Sequence, residues 1–363
     1  MKKNFTLLLF IVLTSSFAQI PAGYYDTATG TGYILKTQLY NIIKDHTDQG
    51  YSGLYVTYTT SDIDLYYEND GSMLDMYTEN PTGSECYFTY GINQDDGSGG
   101  TAECQKYNRE HIIPQSVFSS ATPMYSDAHF VVPSDKYVNA QRGNLPFGRV
   151  NSATNTYSNG SKRGNNLNSG YSAGYSSTVF EPIDEFKGDI ARMYFYFITR
   201  YENQVANWSY DMFNGTSDQV LNNTFLNILL TWHNQDPVSQ RETDRNNAIY
   251  ARQNNRNPFI DHPEYVCQIY PSECATLSNE EFTLNDQILI YPNPTNNNTI
   301  TITSTINLKD VIIYNIKGQI IQQIKNPQTI ATETYQITNL NSGFYIVKLI
   351  SDTASITKKI IVN

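Results

Sequence analysis

Apolar residues recur at the 3.6-residue spacing of a half-buried helix in several stretches. The clearest is 183–205, where Phe186, Ile190, Tyr194, Phe197 and Tyr201 fall every three or four residues and mark one buried face. Residues 35–43, 221–232 and 238–253 read as further helices. Residues 51–90 are instead rich in aromatic and β-branched side chains. The stretch 151–177 is dominated by Asn, Ser, Gly, Thr and Tyr and reads as a long loop. After Thr276 the pattern becomes short β-branched runs broken by turns. Candidate strands are 299–303, 311–315, 319–324, 334–337, 344–350 and 356–362, with turns at Lys317-Gly318 and Asn341-Ser342-Gly343. Six or seven strands in so short a segment predict a small sandwich.

The chain begins Met1-Lys2-Lys3, continues with an apolar run from Phe5 to Leu13, and then reads Ser15-Ser16-Phe17-Ala18. This charged, apolar, small-residue order is that of a secretory signal, with cleavage after Ala18. The run is too short to span a bilayer and no later stretch reaches about 18 apolar residues, so no integral membrane segment is expected. The chain therefore divides into a signal at 1–18, a mixed domain at 19–276 and an all-β domain at 277–363. The last contains no Arg, His, Cys, Met or Trp.

Composition narrows the function. Hydrophobic residues at 39% against 16% charged exclude a disordered chain and allow a packed core. A net charge of −11 excludes capture of nucleic acid by the molecule's overall field. Any anion site must be local, and one stretch qualifies: residues 136–180 carry Lys136, Arg142, Arg149, Lys162 and Arg163 with no Asp or Glu. Arg241, Arg245 and Arg252 share one helical stripe, with ion pairing to neighbours such as Glu242 or Asp244 as the plainer reading. Export makes disulfides possible, and of three connectivities Cys86–Cys104 with Cys267–Cys274 is the simplest.

The densest chemistry is Asn108-Arg109-Glu110-His111-Ile112-Ile113-Pro114-Gln115-Ser116, followed by Asp127-Ala128-His129-Phe130-Val131-Val132-Pro133-Ser134. Helix is predicted to begin after Ser134 as N-cap and to carry Asn139 about one turn in. Phosphodiester hydrolysis needs a base, a cation at the leaving oxygen and donors for the phosphate. His111 has the intrinsic pKa of a base near neutrality. Glu110 and Asn139 are hard oxygen donors suited to Mg²⁺ or Ca²⁺, and Arg142 and Arg109 suit phosphate. Adjacent strand residues face opposite ways, so Glu110 and His111 can serve one site only where the backbone is irregular or the metal sits at the strand edge. His129 reads as a structural, orienting residue. The turn Asn93-Gln94-Asp95-Asp96-Gly97 lacks the distant Glu of an EF-hand and reads as a solvated loop. Tyr157, Tyr171 and Tyr175 are candidates for base stacking.

With those motifs, Arg142-Gly143-Asn144-x-Pro146-Phe147-Gly148, Phe180-Glu181-Pro182-x-Asp184, and the stretch from Trp232-His233 to Asn257-Pro258-Phe259, residues from about 24 to 274 resemble the endonuclease I family of secreted, non-specific nucleases. The resemblance implies an α+β fold with a ββα-metal (His-Me finger) core embedded in a mostly helical domain. It implies His111 as general base, one divalent ion (Mg²⁺, or Ca²⁺ or Mn²⁺) on Glu110 and Asn139 with Asn144 as the alternative ligand, and 5′-phosphate products from DNA or RNA. Lys136, Arg149, Lys162 and Arg163 are the expected substrate contacts, and the enzyme is expected to act as a monomer. The C-terminal segment, opened by Ile290-Tyr291-Pro292-Asn293-Pro294 and closed by Lys358-Lys359-Ile360-Ile361-Val362, resembles the sorting domain of the type IX secretion system, which implies export and removal or surface attachment. The rival reading is a catalytically inactive surface nucleic-acid-binding or adhesion protein on the same fold. A carboxylate-based glycoside hydrolase is a further alternative, distinguished by no residue context.

Overall fold

The computed structural model describes residues 20–276, 288–304, 306–325, 327, 334–351 and 355–363. The signal at 1–18 and the junction after 276 lie outside them. The molecule is of the α+β class, with one hydrophobic core in each of two regions.

The first region opens with α1 (Gly32–Ile43) and α2 (Gly53–Ser61), continues through β1 (Tyr107–His111), β2 (Val131–Asp135) and α3 (Lys136–Arg142), and then forms β3 (Val150–Thr156), β4 (Lys162–Asn166) and β5 (Thr178–Glu181). It closes with α4 (Lys187–Arg200), α5 (Glu202–Val205), α6 (Asn223–Gln235), α7 (Gln240–Gln253), α8 (Pro258–Asp261) and α9 (Tyr265–Ile269). The predicted helices are present. The stripe read in 183–205 understates the burial of α4: all 14 of its residues are buried, with α6, α1 and α8 packed around it. Its charged side chains survive there because they are paired: Arg192 binds Glu242 through two hydrogen bonds of 2.5 and 2.8 Å, and Asp189 takes Arg241. Helix α7 starts on a capping box, Ser239 with Glu242, and ends with Asn254 in the left-handed conformation.

The expected loop at 151–177 is corrected in part: β3 and β4 run through it as an antiparallel pair and, with β5 just beyond it, form a sheet of order β3-β4-β5, while the stretch between β4 and β5 is irregular. Strands β3 and β4 lack an apolar face, and register shifts interrupt their pairing. At one of these irregularities only glycine fits, since a Cβ on Gly164 would lie 2.3 Å from Ser152 O.

The second region contains β6 (Ile288–Tyr291), β7 (Ile300–Ser304), β8 (Leu308–Asn315), β9 (Ile320–Lys325), β10 (Thr334–Ile337), β11 (Gly343–Ser351) and β12 (Ser355–Val362). They form sheets of order β10-β7-β6 and β12-β11-β8-β9. Ile300 and Ile302 of the first sheet share one core with Val311, Ile313, Val347 and Leu349 of the second, which makes the predicted sandwich. Among the described residues no helix is long and apolar enough to cross a membrane.

Candidate active site

Strands β1 and β2 pair antiparallel, with Glu110 opposite Val132 and His111 opposite Val131. Asp135 ends β2 and caps α3, its carboxylate accepting from Tyr137 N at 2.8 Å and Val138 N at 2.9 Å. The cap is thus one residue later than the expected Ser134, whose own side chain is buried in β2. The cap turns α3 back onto β1. Asn139 Nδ2 donates to Asn108 Oδ1 at 2.8 Å and to Arg109 O at 3.4 Å. Almost one turn later, Arg142 Nη1 donates to Glu110 Oε1 at 2.8 Å. Asn108 and Glu110, two residues apart in β1, therefore face α3 together.

Glu110 is only 3% exposed. Burial pushes its carboxyl up, opposed by the Arg142 guanidinium and by Tyr77, whose hydroxyl donates to Oε1 at 2.7 Å. Both side-chain contacts fall on Oε1. Arg142 was expected to hold phosphate, but the structure turns it inward: it is 1% exposed, donates also to His111 O at 2.9 Å and Ile112 O at 2.7 Å, and lies over the Phe147 ring. A buried carboxylate is costly unless it is paired or hydrogen-bonded, and Arg142 gives Glu110 both a counter-charge and a hydrogen bond.

His111, the last residue of β1, sits among aromatic rings. It is stacked with Tyr125 at 5.3 Å and 13° and with Tyr51 at 5.9 Å and 21°, with Phe118 and Phe130 beside it. Its Nε2 meets Tyr125 O at 3.1 Å. Because a carbonyl only accepts, this contact fixes the proton on Nε2 and leaves Nδ1 with a lone pair. Burial lowers its pKa to about 4, so the ring is neutral at pH 7. Arg109 lies over Tyr51 with Cζ 3.4 Å from the centroid and over Tyr55 at 4.3 Å, and donates to Tyr51 O. It is half-buried at the edge of the site.

Of the two candidate asparagines, Asn139 lies against β1. Asn144, past the positive-φ Gly143, is exposed on an open groove with Ser116, Tyr175 and Tyr210. Lys136 is held by Asp95 Oδ1 at 2.7 Å. Arg149 lies over Tyr171, 5.0 Å from its ring centroid. Lys162 is exposed and Arg163 half-buried on β4. The arginine stripe is internal: Arg241 pairs with Asp189, Arg245 with Asp62 at 2.7 Å, and Arg252 donates to Thr57 Oγ1 at 2.8 Å. Its partners are therefore not the neighbours expected within the helix. His129 is buried with Nε2 on Asn255 O at 3.0 Å. In the 93–97 turn, Asp96 pairs with Lys106. Tyr157 stacks on Phe180, and Tyr175 bonds Asp211. The two disulfides are Cys86–Cys104 and Cys267–Cys274, as expected. Tyr77 is the site residue that sequence reasoning missed, for one tyrosine among 29 carries no signal of a contact 33 positions away.

A sequence model described as Endonuclease I matches residues 31–264, a span that contains every residue of this site. The chain belongs to the endonuclease I family. Residues 289–363 match the Secretion system C-terminal sorting domain. Two relatives, both named extracellular ribonuclease, come from Bacillus subtilis (strain 168) and Bacillus amyloliquefaciens. They are 34% identical over 262 residues and 33% identical over 261, each match covering 68% of this chain and 78% of the relative. A solved structure of PorZ, a bacterial surface component of the type IX secretion system of Porphyromonas gingivalis, is 19% identical over 23% of this chain. This chain spans 12% of that one, with a TM-score of 0.19. This endonuclease I family member is a nucleic-acid-hydrolysing enzyme, secreted or displayed at the cell surface.

Proposed function

We propose that the protein is a divalent-metal-dependent endonuclease that cleaves DNA, and RNA as well, with little sequence preference and leaves 5′-phosphates. The observation that carries the reading is the neutral His111 ring, held through Nε2 by Tyr125 O one residue from a buried carboxylate. His111 Nδ1 takes the proton of the attacking water. The metal would be held by Glu110 and Asn139. The donor chemistry fits: Tyr77 and Arg142 bind Glu110 through Oε1, and Asn139 donates through Nδ2, which leaves Glu110 Oε2 and Asn139 Oδ1 as hard oxygens. Two such donors suit a small cation that keeps most of its waters. When bound, the ion supplies charge neutralisation at the departing 3′ oxygen.

Arg142 and Tyr77 oppose the effect of burial on Glu110 and aim its carboxylate, while Arg109, Lys162 and Arg163 attract the phosphate backbone. Contacts of that kind carry no base information, which supports low sequence preference. RNA enters the proposal through the name of the two relatives. The sorting domain supports passage through the type IX machinery. The test is digestion of supercoiled plasmid and of RNA by the purified protein with and without EDTA. Chelator-sensitive nicking with 5′-phosphate ends is expected. Digestion that survives EDTA overturns the metal role, and absence of turnover on both polymers leaves a nucleic-acid-binding protein.

A further inference from the structure

We infer that the segment between α2 and the Cys86–Cys104 disulfide holds a structural calcium ion on Glu68, Glu79 and Glu85, with Asp64 and Asp70 beside them. The first observation is Glu79. Its side chain is 1% exposed, yet neither carboxylate oxygen has a hydrogen-bond partner. Other buried carboxylates in this domain are satisfied: Asp62 by Arg245, Asp135 by backbone amides, and Asp127 by Tyr196 and Tyr201. An unpaired buried carboxylate is costly unless it is neutralised or binds a cation.

The second observation is where Glu79 points. Ligand oxygens of Glu68, Glu79 and Glu85 lie within 4.8 Å of one another, and those of Asp64, Asp70 and Glu85 form an overlapping group. Calcium binds oxygen at about 2.3–2.6 Å, so oxygens on opposite sides of one ion stand up to roughly 5 Å apart. No Lys, Arg or His pairs with any of these five acids among the described residues. Asp64 shapes the loop by accepting from Tyr66 N, Tyr67 N and Asn69 N, which sets Glu68 on its rim. Burial and the surrounding carboxylates both push the Glu79 carboxyl up, the condition a divalent ion relieves. Several carboxylates in an adaptable loop suit calcium better than magnesium, which demands near-octahedral geometry.

The placement gives the ion a purpose. Two residues before Glu79, Tyr77 holds Glu110 Oε1, and Asn159 between β3 and β4 donates to Glu79 O at 3.0 Å. An ion on Glu79 therefore stiffens the segment that presents Tyr77 to the active site. The alternative is a proton shared between Glu79 and Glu85.

The test is equilibrium dialysis of the full-length protein against ⁴⁵Ca²⁺ with parallel thermal melts, each read as the difference between the parent and variants of the carboxylate cluster, so that an ion on Glu110 cancels. One bound ion per chain that depends on the cluster and a higher Tm in calcium are expected. Glu79→Gln should weaken binding at least tenfold and remove the calcium-dependent rise in Tm. Glu68→Gln, at an exposed position that does not endanger folding, should weaken it severalfold. Calcium binding that is absent, or equal in the parent and the Glu68→Gln and Glu79→Gln variants, overturns the proposal. A higher Tm for Glu79→Gln with no calcium bound to the parent assigns the shared proton instead.

Discussion

Arg142 Nη1 stands 2.8 Å from Glu110 Oε1 with both side chains out of solvent. Removing one member of such a pair strands the other as a buried charge. Arg142→Ala should therefore destabilise the domain by about 3–5 kcal/mol, read as a lower denaturant midpoint. Arg142→Lys should recover only part of this, because an ammonium cannot reproduce the fork that also serves His111 O and Ile112 O. Undiminished stability with weakened phosphate affinity would return Arg142 to the substrate-binding role.

On the proposed role of the ring as a base and not a contact, His111→Asn should lower kcat by about 10²–10⁴ while leaving nucleic-acid affinity near that of the parent. Single-turnover plasmid nicking and a separate binding assay resolve the two. A variant that nicks at the parental rate removes His111 from the mechanism.

The acidity of the same ring sets a pH window. Its folded pKa of about 4 lies below the unfolded value near 6.5, so the base stays unprotonated from neutrality down to about pH 5. The acid limb of kcat attributable to His111 should fall near pH 4–5. Between about pH 6.5 and 4 the unfolded chain binds a proton that the folded ring refuses, so the stability this ring contributes above pH 6.5 is lost as pH falls. The parent should thus lose stability relative to His111→Asn across that window. Parallel denaturation curves of the two proteins would expose the opposite sign.

How much was legible follows from what each element relies on. Helix α4 declared itself because its apolar residues recur with the helical period, and Glu110, His111 and Asn139 were visible because they sit in compact ordered motifs. Strands β3 and β4 were not. Residues such as Asn155, Gly164 and Asn165 carry no strand propensity, and side-chain bonds to the backbone hold the ends: Glu181 accepts from Val150 N, and Asn166 Nδ2 reaches Ser172 O and Tyr175 O. Arg142 was visible as a charge but not as a buried one, because its partner in β1 is a matter of tertiary packing. Tyr77 was hidden for the same reason.

Lys162 and Arg163 on β4 should act on substrate capture, not on chemistry. Replacing both with Glu should raise KM severalfold at low ionic strength and flatten its salt dependence, with kcat retained. Lys136→Gln should do far less, because Asp95 already engages that ammonium. Equal effects at both places would contradict this division.

The Cys86–Cys104 bridge closes a loop just ahead of β1. Replacing both cysteines with Ser should cost about 2–4 kcal/mol, measured by chemical denaturation. The Cys267–Cys274 bridge encloses a shorter segment after α8, and its loss should cost less.

Strands β3 and β4, written in Asn, Ser, Thr and Gly, have little apolar surface to keep covered. Most of their outward side chains can drift over generations without disturbing the interior that holds Glu110 and His111. Substitutions on the face that carries Lys162 and Arg163 can thereby change surface charge while the packing around Glu110 and His111 stays as it is.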